Sequence, residues 1–357
     1  MPFFNETVPA EFTGTERLDK YLSSLPNAMN RSKLKSGIIE LLVNEKKAKL
    51  NSKIKAGDKI YFQWEDSIPD DIEPQNIPLD IIYEDENVTV VNKAQGIVTH
   101  PAAGNWDGTL VNALLYHWGR EAVPQQKNQN SAIFEGRRPG IVHRLDKDTS
   151  GIIITAKNRD TEEFLGNQFK NHKSLSKIYI CICQGHPPVK EGLIKTKLTR
   201  DPHDRKRFKA CDLEGNGKIA VTKFKCIACY GPYSLMKVKI YTGRTHQIRV
   251  HLKFIGCPIL GDRIYSKTKS TVFENATLML HAYKLKIMLP GKNEKSVFTA
   301  KVPVRFKKVL KKLHESFKKS MPPEQINARL KTETTVKNQK LLVFEAKIGY
   351  GQWQNYR

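Results

Sequence analysis

His143-Arg144-Leu145-Asp146-Lys147-Asp148-Thr149-Ser150-Gly151-Ile152, continued by Ile153-Ile154-Thr155-Ala156, is the stretch around which the chain organises. The run Ile152-Ile153-Ile154 is apolar and β-branched, which predicts a buried strand. The polar residues ahead of it hold a carboxylate, Asp146, two positions after Arg144. Thr149, Ser150 and Gly151 suit a tight turn, because Gly accepts positive φ and short hydroxyls bond the nearby backbone. A carboxylate on a rigid turn that feeds a core strand is well placed for chemistry in a cleft. In isolation the same residues also describe an ordinary surface turn in which Asp146 pairs with Arg144.

Composition narrows the partners. The chain has 357 residues, enough for two or three domains with separate cores. Apolar residues make up 39% and charged residues 27%, the balance of a globular protein. A formal net charge of +24 implies a polyanionic partner, bound partly by counterion release and weakened by salt. Met1 to Ala10 lacks a basic-then-apolar signal pattern, and no apolar run approaches the roughly 18 residues that a membrane helix needs. A cytoplasmic location without membrane anchoring is therefore expected. The six cysteines fit a reducing compartment. Cys226-x-x-Cys229 has no second close ligand pair, and Cys181 and Cys183 sit two apart on one face of a predicted strand, so all four read as small packing residues and no metal is expected.

Three regions follow in order. Residues 14–75 read as a small α+β domain, with Leu18, Tyr21 and Leu22 on one helical face. The stretch Asn30–Ile39 is predicted to begin a second helix, with Asn30 or Ser32 as cap, and strands are predicted at Leu42-Val43-Asn44 and after Lys55-Ala56-Gly57-Asp58. Between Arg31 and Lys59 there are nine basic and three acidic residues, a local excess suited to a phosphate backbone. Ile68 to Pro78 is a Pro- and Asp-rich linker. Residues 79–304 alternate strand and helix patterns, including Ile81–Lys93 as two strands around an acidic turn, a helix at Thr109–Leu115, a helix at Arg159–Lys170 and strands at Ser176–Ile180 and Leu235–Tyr241. Residues 305–357 carry 13 Lys and Arg against 4 Asp and Glu. There Phe306, Val309, Leu310, Leu313 and Phe317 have helical spacing among lysines, which fits a helix packed on the body or one gripping RNA, with a membrane surface ranked lower.

HRLDKDTSG resembles the catalytic signature of the RluA-type pseudouridine synthase family, whose HRLD aspartate is catalytic. Further motifs agree: Gly96-Ile97-Val98-Thr99-His100-Pro101, the Lys-x-Tyr at Lys177–Tyr179, Gly243-Arg244-Thr245-His246-Gln247-Ile248-Arg249-Val250-His251-Leu252, Ile259-Leu260-Gly261-Asp262 and Leu280-His281-Ala282. The first region, through RLDKYL, Arg31-Ser32-x-Leu34, Val43-Asn44 and Lys55-x-Gly57-Asp58, resembles the RNA-binding domain of ribosomal small-subunit protein S-four type. Glu45 stands where that family often has Gly.

The resemblance implies an α+β catalytic domain with a largely antiparallel or mixed central sheet. It makes Asp146 the catalytic residue, pairs Arg249 with it, and brings Tyr179 into the active site to stack on the base or assist proton transfer. A guanidinium near Asp146 favours its ionised form. Arg144 is implied to stabilise the position vacated by a flipped uridine. His143, Thr149, Arg244, Thr245, His246 and Gln247 are expected to support the turn or reach substrate. Arg31, Lys33 and Lys35, with Arg200, Arg205 and Arg207 of the basic loop Thr199–Lys209, are expected to contact RNA. Ile259–Asp262 is expected to serve as core and scaffold.

The implied reaction converts uridine to pseudouridine without redox change. No cofactor is expected, and the sequence has neither a P-loop nor a dinucleotide Gly pattern. Large-subunit ribosomal RNA is the expected substrate, with tRNA second, and a monomer is the expected state. Two rivals use the same features: a non-catalytic RNA-binding or ribosome-assembly protein, and a base-cleaving glycosidase with one carboxylate.

Overall fold

The computed structural model describes residues 3–24, 38–64, 71–102, 104–120, 123–124, 139–171, 175–266, 273, 275–320 and 342–345. Arg31, Lys33, Lys35 and the predicted polar loop 125–130 lie outside the described residues. The chain divides into two compact units, Met1–Asp71 and Ile72–Arg357.

In the first unit a four-stranded sheet runs in the order β1 (Phe3–Thr7), β6 (Lys59–Trp64), β3 (Ile38–Val43), β4 (Lys46–Lys47). A two-stranded piece, β2 (Glu16–Arg17) with β5 (Lys53–Ile54), and helix α1 (Leu18–Ser24) complete it. Leu18, Tyr21 and Leu22 bury the predicted face of α1 against Ile54, Ile60 and Phe62. β1 lies upstream of residue 14 and pairs with β6 along its length, so the unit starts earlier than the sequence pattern suggested. Ile38 and Ile39, expected to be helical, open β3 instead: Ile38 pairs with Trp64, and two β-branched residues suit a strand. The β3–β4 connection has only two residues, Asn44 (φ 52°) and Glu45 (φ 62°), both left-handed. This is the mirror-image hairpin turn whose second position favours Gly. Asn44 is held there by donating to Asp58 Oδ1 at 2.9 Å while accepting from Lys59 N at 2.9 Å.

The second unit is built on one eleven-stranded sheet. Its strands are β8 (Ile81–Glu84), β9 (Val88–Lys93), β11 (Ser150–Ala156), β12 (Ser176–Gln184), β13 (Glu191–Arg200), β14 (Phe208–Cys211), β15 (Lys218–Tyr230), β16 (Tyr233–Ile240), β17 (Leu280–Met288), β18 (Lys295–Thr299) and β19 (Leu342–Glu345). Two short strands, β7 (Asp71–Ile72) and β10 (Val123–Pro124), pair apart from it. The main path is β14-β13-β15-β16-β12-β17-β11-β9-β8, with β18 on β17 and β19 on β13. Pairing is antiparallel except at β11–β17 and β13–β19. The sheet is thus mixed and largely antiparallel, as the family resemblance implies.

β11 explains its own unbroken apolar run, since all seven residues are buried. Ile152 and Ile154 face Leu165 and Phe169 of α3 (Arg159–Asn171). Ile153 faces Leu110 and Leu114 of α2 (Leu110–His117). A strand covered on both faces has no reason to alternate. Each fully buried Ile contributes about 1.5–3 kcal/mol. Helix α2 starts at a capping box in which Thr109 and Asn112 bond each other's backbone N–H, close to the predicted boundary. Gly151 is required by space as well as by its φ of 114°: a Cβ there would lie 2.2 Å from the Ala282 carbonyl oxygen on β17.

Two further helices shape the site. α4 (Gln247–Phe254) sends Ile248 and Leu252 into a core shared with Tyr179, Phe224 and Val238. α5 (Val304–Ser320) buries Phe306, Val309 and Leu313 in the same core, so the start of the basic C-terminal segment is packed on the body. Cys181 and Cys183 lie 3.7 Å apart between sulfurs, and Cys226 and Cys229 3.6 Å; all are free thiols. Among the described residues no cluster of His, Cys, Asp or Glu is arranged to hold a metal ion, and no helix is long and apolar enough to cross a membrane.

Candidate active site

The turn that carries Asp146 is tied down at nearly every residue. His143 Nε2 accepts from the Ile154 N–H at 3.0 Å, and its ring stacks on Phe169 at 4.4 Å. Burial, helped by the Lys177 charge, pushes His143 down to about 3, so it is a neutral acceptor that sets the turn on β11. Leu145 is buried, and its carbonyl accepts from Thr99 Oγ1 at 2.9 Å. The Thr149 N–H closes the turn on the Asp146 carbonyl at 3.0 Å, and the Thr149 side chain is buried at the groove wall. The Lys147 carbonyl accepts from Gly96 N at 2.9 Å and from Lys93 Nζ at 3.2 Å. Arg144 is exposed and makes no ion pair among the described residues.

Lys93 gave no signal beyond its place in a strand. Its ammonium is 1% exposed and donates also to the carbonyls of Ala94 (2.8 Å) and Ile97 (2.7 Å). Burial pulls its pKa down to about 7 against the nearby charges of Asp146 and Asp148. Three carbonyl acceptors match the three N–H donors of the charged form.

The partner of Asp146 arrives on α4. Arg249 Nη1 donates to Asp146 Oδ2 at 3.3 Å, bringing together residues 103 apart in sequence. The other side of the guanidinium is gripped in bidentate fashion by Asp262: Nε to Oδ2 at 2.7 Å and Nη2 to Oδ1 at 2.8 Å. Burial opposes both charges, but each stabilises the other, so Arg249 is raised and Asp262 lowered. Asp262 is 2% exposed and also accepts from the N–H groups of Ile264 and Tyr265. It is thus the anchor of the arginine and more than scaffold.

His246 opens α4 in a left-handed conformation (φ 56°), a strained state for a non-Gly residue. Its Nδ1 lies 2.8 Å from the Tyr265 hydroxyl, and its Nε2 3.7 Å from Asp146 Oδ2. The same hydroxyl accepts from Phe208 N at 2.8 Å, which leaves its proton for Nδ1. That network assigns the neutral His246 proton to Nε2, the side facing Asp146. Burial lowers the His246 pKa, with Asp146 pulling the other way. Gln247 is saturated: Oε1 accepts from Thr242 Oγ1 (2.7 Å) and Arg244 N (3.0 Å), while Nε2 donates to Val221 O (3.0 Å) and Thr222 Oγ1 (2.9 Å). It latches the turn and has no group left for substrate. Arg244 and Thr245 are exposed, with Arg244 Nε held on Ile219 O.

Asp146, Tyr179, Arg144, Arg244, His246 and Arg249 line one open groove of about 900 Å³. Tyr179 is buried opposite Val238 on β16 and Ala282 on β17. Burial first, and the Asp146 charge second, raise its pKa, so it stays a protonated phenol. Lys177, two residues earlier on the same face, lines the groove with its pKa pushed down to about 8 by burial. The Lys-x-Tyr spacing was the signal that could have found it.

The predicted basic loop is a hairpin between β13 and β14. Arg200 Nη1 donates to the Arg205 carbonyl at 2.7 Å, and its guanidinium lies over Phe208. Arg207 lies 5.8 Å from the Tyr265 ring centre, and Arg205 is exposed. Through Phe208 and Tyr265 the hairpin rests on the His246 cluster.

A sheet that delivers one carboxylate, an anchored arginine and a phenol to an open, basic groove defines the class of an enzyme acting on a polyanion. The sequence profile of RNA pseudouridylate synthases matches residues 87–254. Ribosomal large subunit pseudouridine synthase D of Borreliella burgdorferi is 42% identical over 318 residues, covering 87% of this chain and 94% of the relative. The like-named protein of Zymomonas mobilis is 38% identical, covering 85% and 95%. An uncharacterised RNA pseudouridine synthase of Aquifex aeolicus is 42% identical over 84% of this chain. Among solved structures, human RNA pseudouridylate synthase domain containing 4 shares the fold, with TM-score 0.50 and 23% identity, covering 66% of this chain and 92% of that one. The chain belongs to the RNA pseudouridine synthase family, in its RluA-type branch.

Proposed function

We propose that this RNA pseudouridine synthase isomerises chosen uridines of large-subunit ribosomal RNA, with Asp146 as the essential carboxylate. The observation that carries the reading is Asp146 held 3.3 Å from an arginine that Asp262 itself anchors, within a basic groove open to solvent. The two relatives named for the ribosomal large subunit support the substrate. The reaction breaks the bond from the sugar C1′ to uracil N1 and joins C1′ to C5. C5 loses a proton and N1 gains one, so electrons balance without a cofactor.

A stacked uridine hides these atoms, and extruding it costs a few kcal/mol, which phosphate contacts by the basic surface offset. We assign Arg144 to the vacated position in the RNA. Tyr179 offers an aromatic face, worth about 1–3 kcal/mol per stacked base, and a phenol that donates rather than accepts a proton. Asp146 acts ionised, either as nucleophile at the sugar or base, or by taking the 2′ proton. Arg200, Arg205 and Arg207 are assigned to flanking phosphates, and the first unit, residues 14–75 with Arg31, Lys33 and Lys35, to a further RNA contact. One chain supplies the whole groove, which supports a monomer as the working unit, acting in the cytoplasm where ribosomal RNA lies.

The test is Asp146→Asn on ribosomal RNA fragments. Pseudouridine should fall below detection while RNA affinity stays within about threefold, because one neutralised carboxylate removes no phosphate contact. Retained isomerisation overturns the assignment. Release of free uracil by the unaltered chain would instead mark a glycosidase.

A further inference from the structure

We propose that the back of the large sheet, the face turned away from the Asp146 groove, is a second RNA-binding surface that grips the phosphate backbone of a segment remote from the target uridine. This goes beyond the reading of the groove and does not depend on the role of Asp146. Strand register defines the face. Lys177 and Tyr179 point into the groove, so Ile178 and Ile180 point away from it. Opposite Ile178 lies Lys239 on β16, and opposite Ile180 lies Lys237. Lys239 in turn faces Lys223 on β15, and Lys237 faces Lys225. On the other flank Ile178 pairs with Lys284 and Ser176 with Lys286 of β17.

Six lysines therefore share one surface over four neighbouring strands. Two of the cross-strand pairs put like charges directly opposite, which destabilises a sheet. Glu191, on the edge of this lattice, pairs with Lys223 (2.7 Å) and Lys225 (3.4 Å), whereas Lys237 and Lys286 are exposed and make no ion pair among the described residues. The α5 helix adds to the same side: Phe306 lies 6.1 Å from His281, which pairs with Ile180, and Lys307, Lys308 and Lys311 are exposed. Strands about 4.8 Å apart, with same-face residues about 6.6 Å apart along each, form a regular grid of positive charge. Such a grid recognises a repeating anion. Ile219 and Val297 are exposed on this side, but among the described residues no Trp or Leu is fully exposed there as in a membrane-inserting face, so a nucleic-acid backbone is the better fit.

The experiment uses the full-length chain and a 20-base-pair RNA duplex without a target loop. A variant with Lys225→Gln, Lys237→Gln, Lys239→Gln and Lys286→Gln is compared with the unaltered protein between 50 and 200 mM KCl. We expect about tenfold weaker duplex binding and a salt slope reduced in magnitude by about 3.6, roughly 0.9 for each of the four lost phosphate contacts. If the fourfold variant does not fold, Lys237→Gln alone and lysine acylation of the unaltered chain decide: the duplex should protect Lys225, Lys237 and Lys239. Equal affinity and slope, or unprotected lysines, overturns the proposal. So does protection by phosphatidylserine vesicles but not by duplex. Loss of activity in Asp146→Asn without change in these readouts separates this surface from the reading of the groove.

Discussion

Arg249 reaches Asp146 with a single nitrogen because Asp262 holds the other two. Removing that grip leaves a buried guanidinium half-paired, so Asp262→Asn should lower turnover roughly 10–100-fold, as loss of an orienting partner does at other preorganised sites. KM for RNA should stay within about threefold, since Asp262 touches no solvent-facing group. Single-turnover kinetics separates the two, and a rise in KM at constant kcat would contradict the positioning role. Lys93→Met should behave alike: with three carbonyls left unsatisfied at about 1–3 kcal/mol each, the Asp146 turn loosens and kcat falls, while duplex affinity holds. Asp146 was legible because turn and strand are contiguous in sequence. Asp262 was not, since its partner is chosen by how α4 docks on a separate turn, and Lys93 was hidden because a strand-end lysine normally points to solvent.

At the scale of single elements, two left-handed positions both favour glycine, and only one of them has it. Glu45 occupies a left-handed position that suits Gly, so Glu45→Gly should stabilise the β3–β4 hairpin by about 1 kcal/mol. Slower hydrogen exchange of the β3 and β6 amides would show it; faster exchange would mean that Glu45 makes compensating contacts. Gly151→Ala should cost at least about 2 kcal/mol, because the new Cβ meets the Ala282 carbonyl and must force β11 from β17. Urea melts followed by far-UV circular dichroism measure it. The triple isoleucine and the α2 and α3 boundaries could be read locally from periodicity and caps. Ile38 and Ile39 could not, because only their pairing with the distant β6 makes them strand.

Across the whole molecule, three histidines are held neutral by burial: His143 at about 3, His251 at about 3 and His281 at about 4. Folded values below the unfolded 6.5 mean that the unfolded chain binds more protons between about pH 4 and 6.5. Stability should therefore be level above pH 7 and fall on acidification through that window, by up to about 4 kcal/mol per pH unit. His251→Gln, which keeps a polar group between Thr196 and Thr222, should flatten the slope. An unchanged slope would show that these rings do not control acid unfolding. Of this larger organisation the sequence patterns told strand from helix, and the motifs named the fold, but strand order was illegible because pairing partners lie far apart, as with Ser150 and His281 on β11 and β17 or Gly192 and Leu342 on β13 and β19. The parallel pairing of Ser150 with His281 has a consequence during synthesis, reinforced by the Arg305 hydrogen bond to Ser150 from 155 residues downstream. At about 5–20 residues per second, the support for the Asp146 turn emerges from the ribosome on the order of 10 s after the turn itself. Until then the Asp146 turn lacks its β17 partner, so a nascent chain should gain activity only once most of its length has left the ribosome.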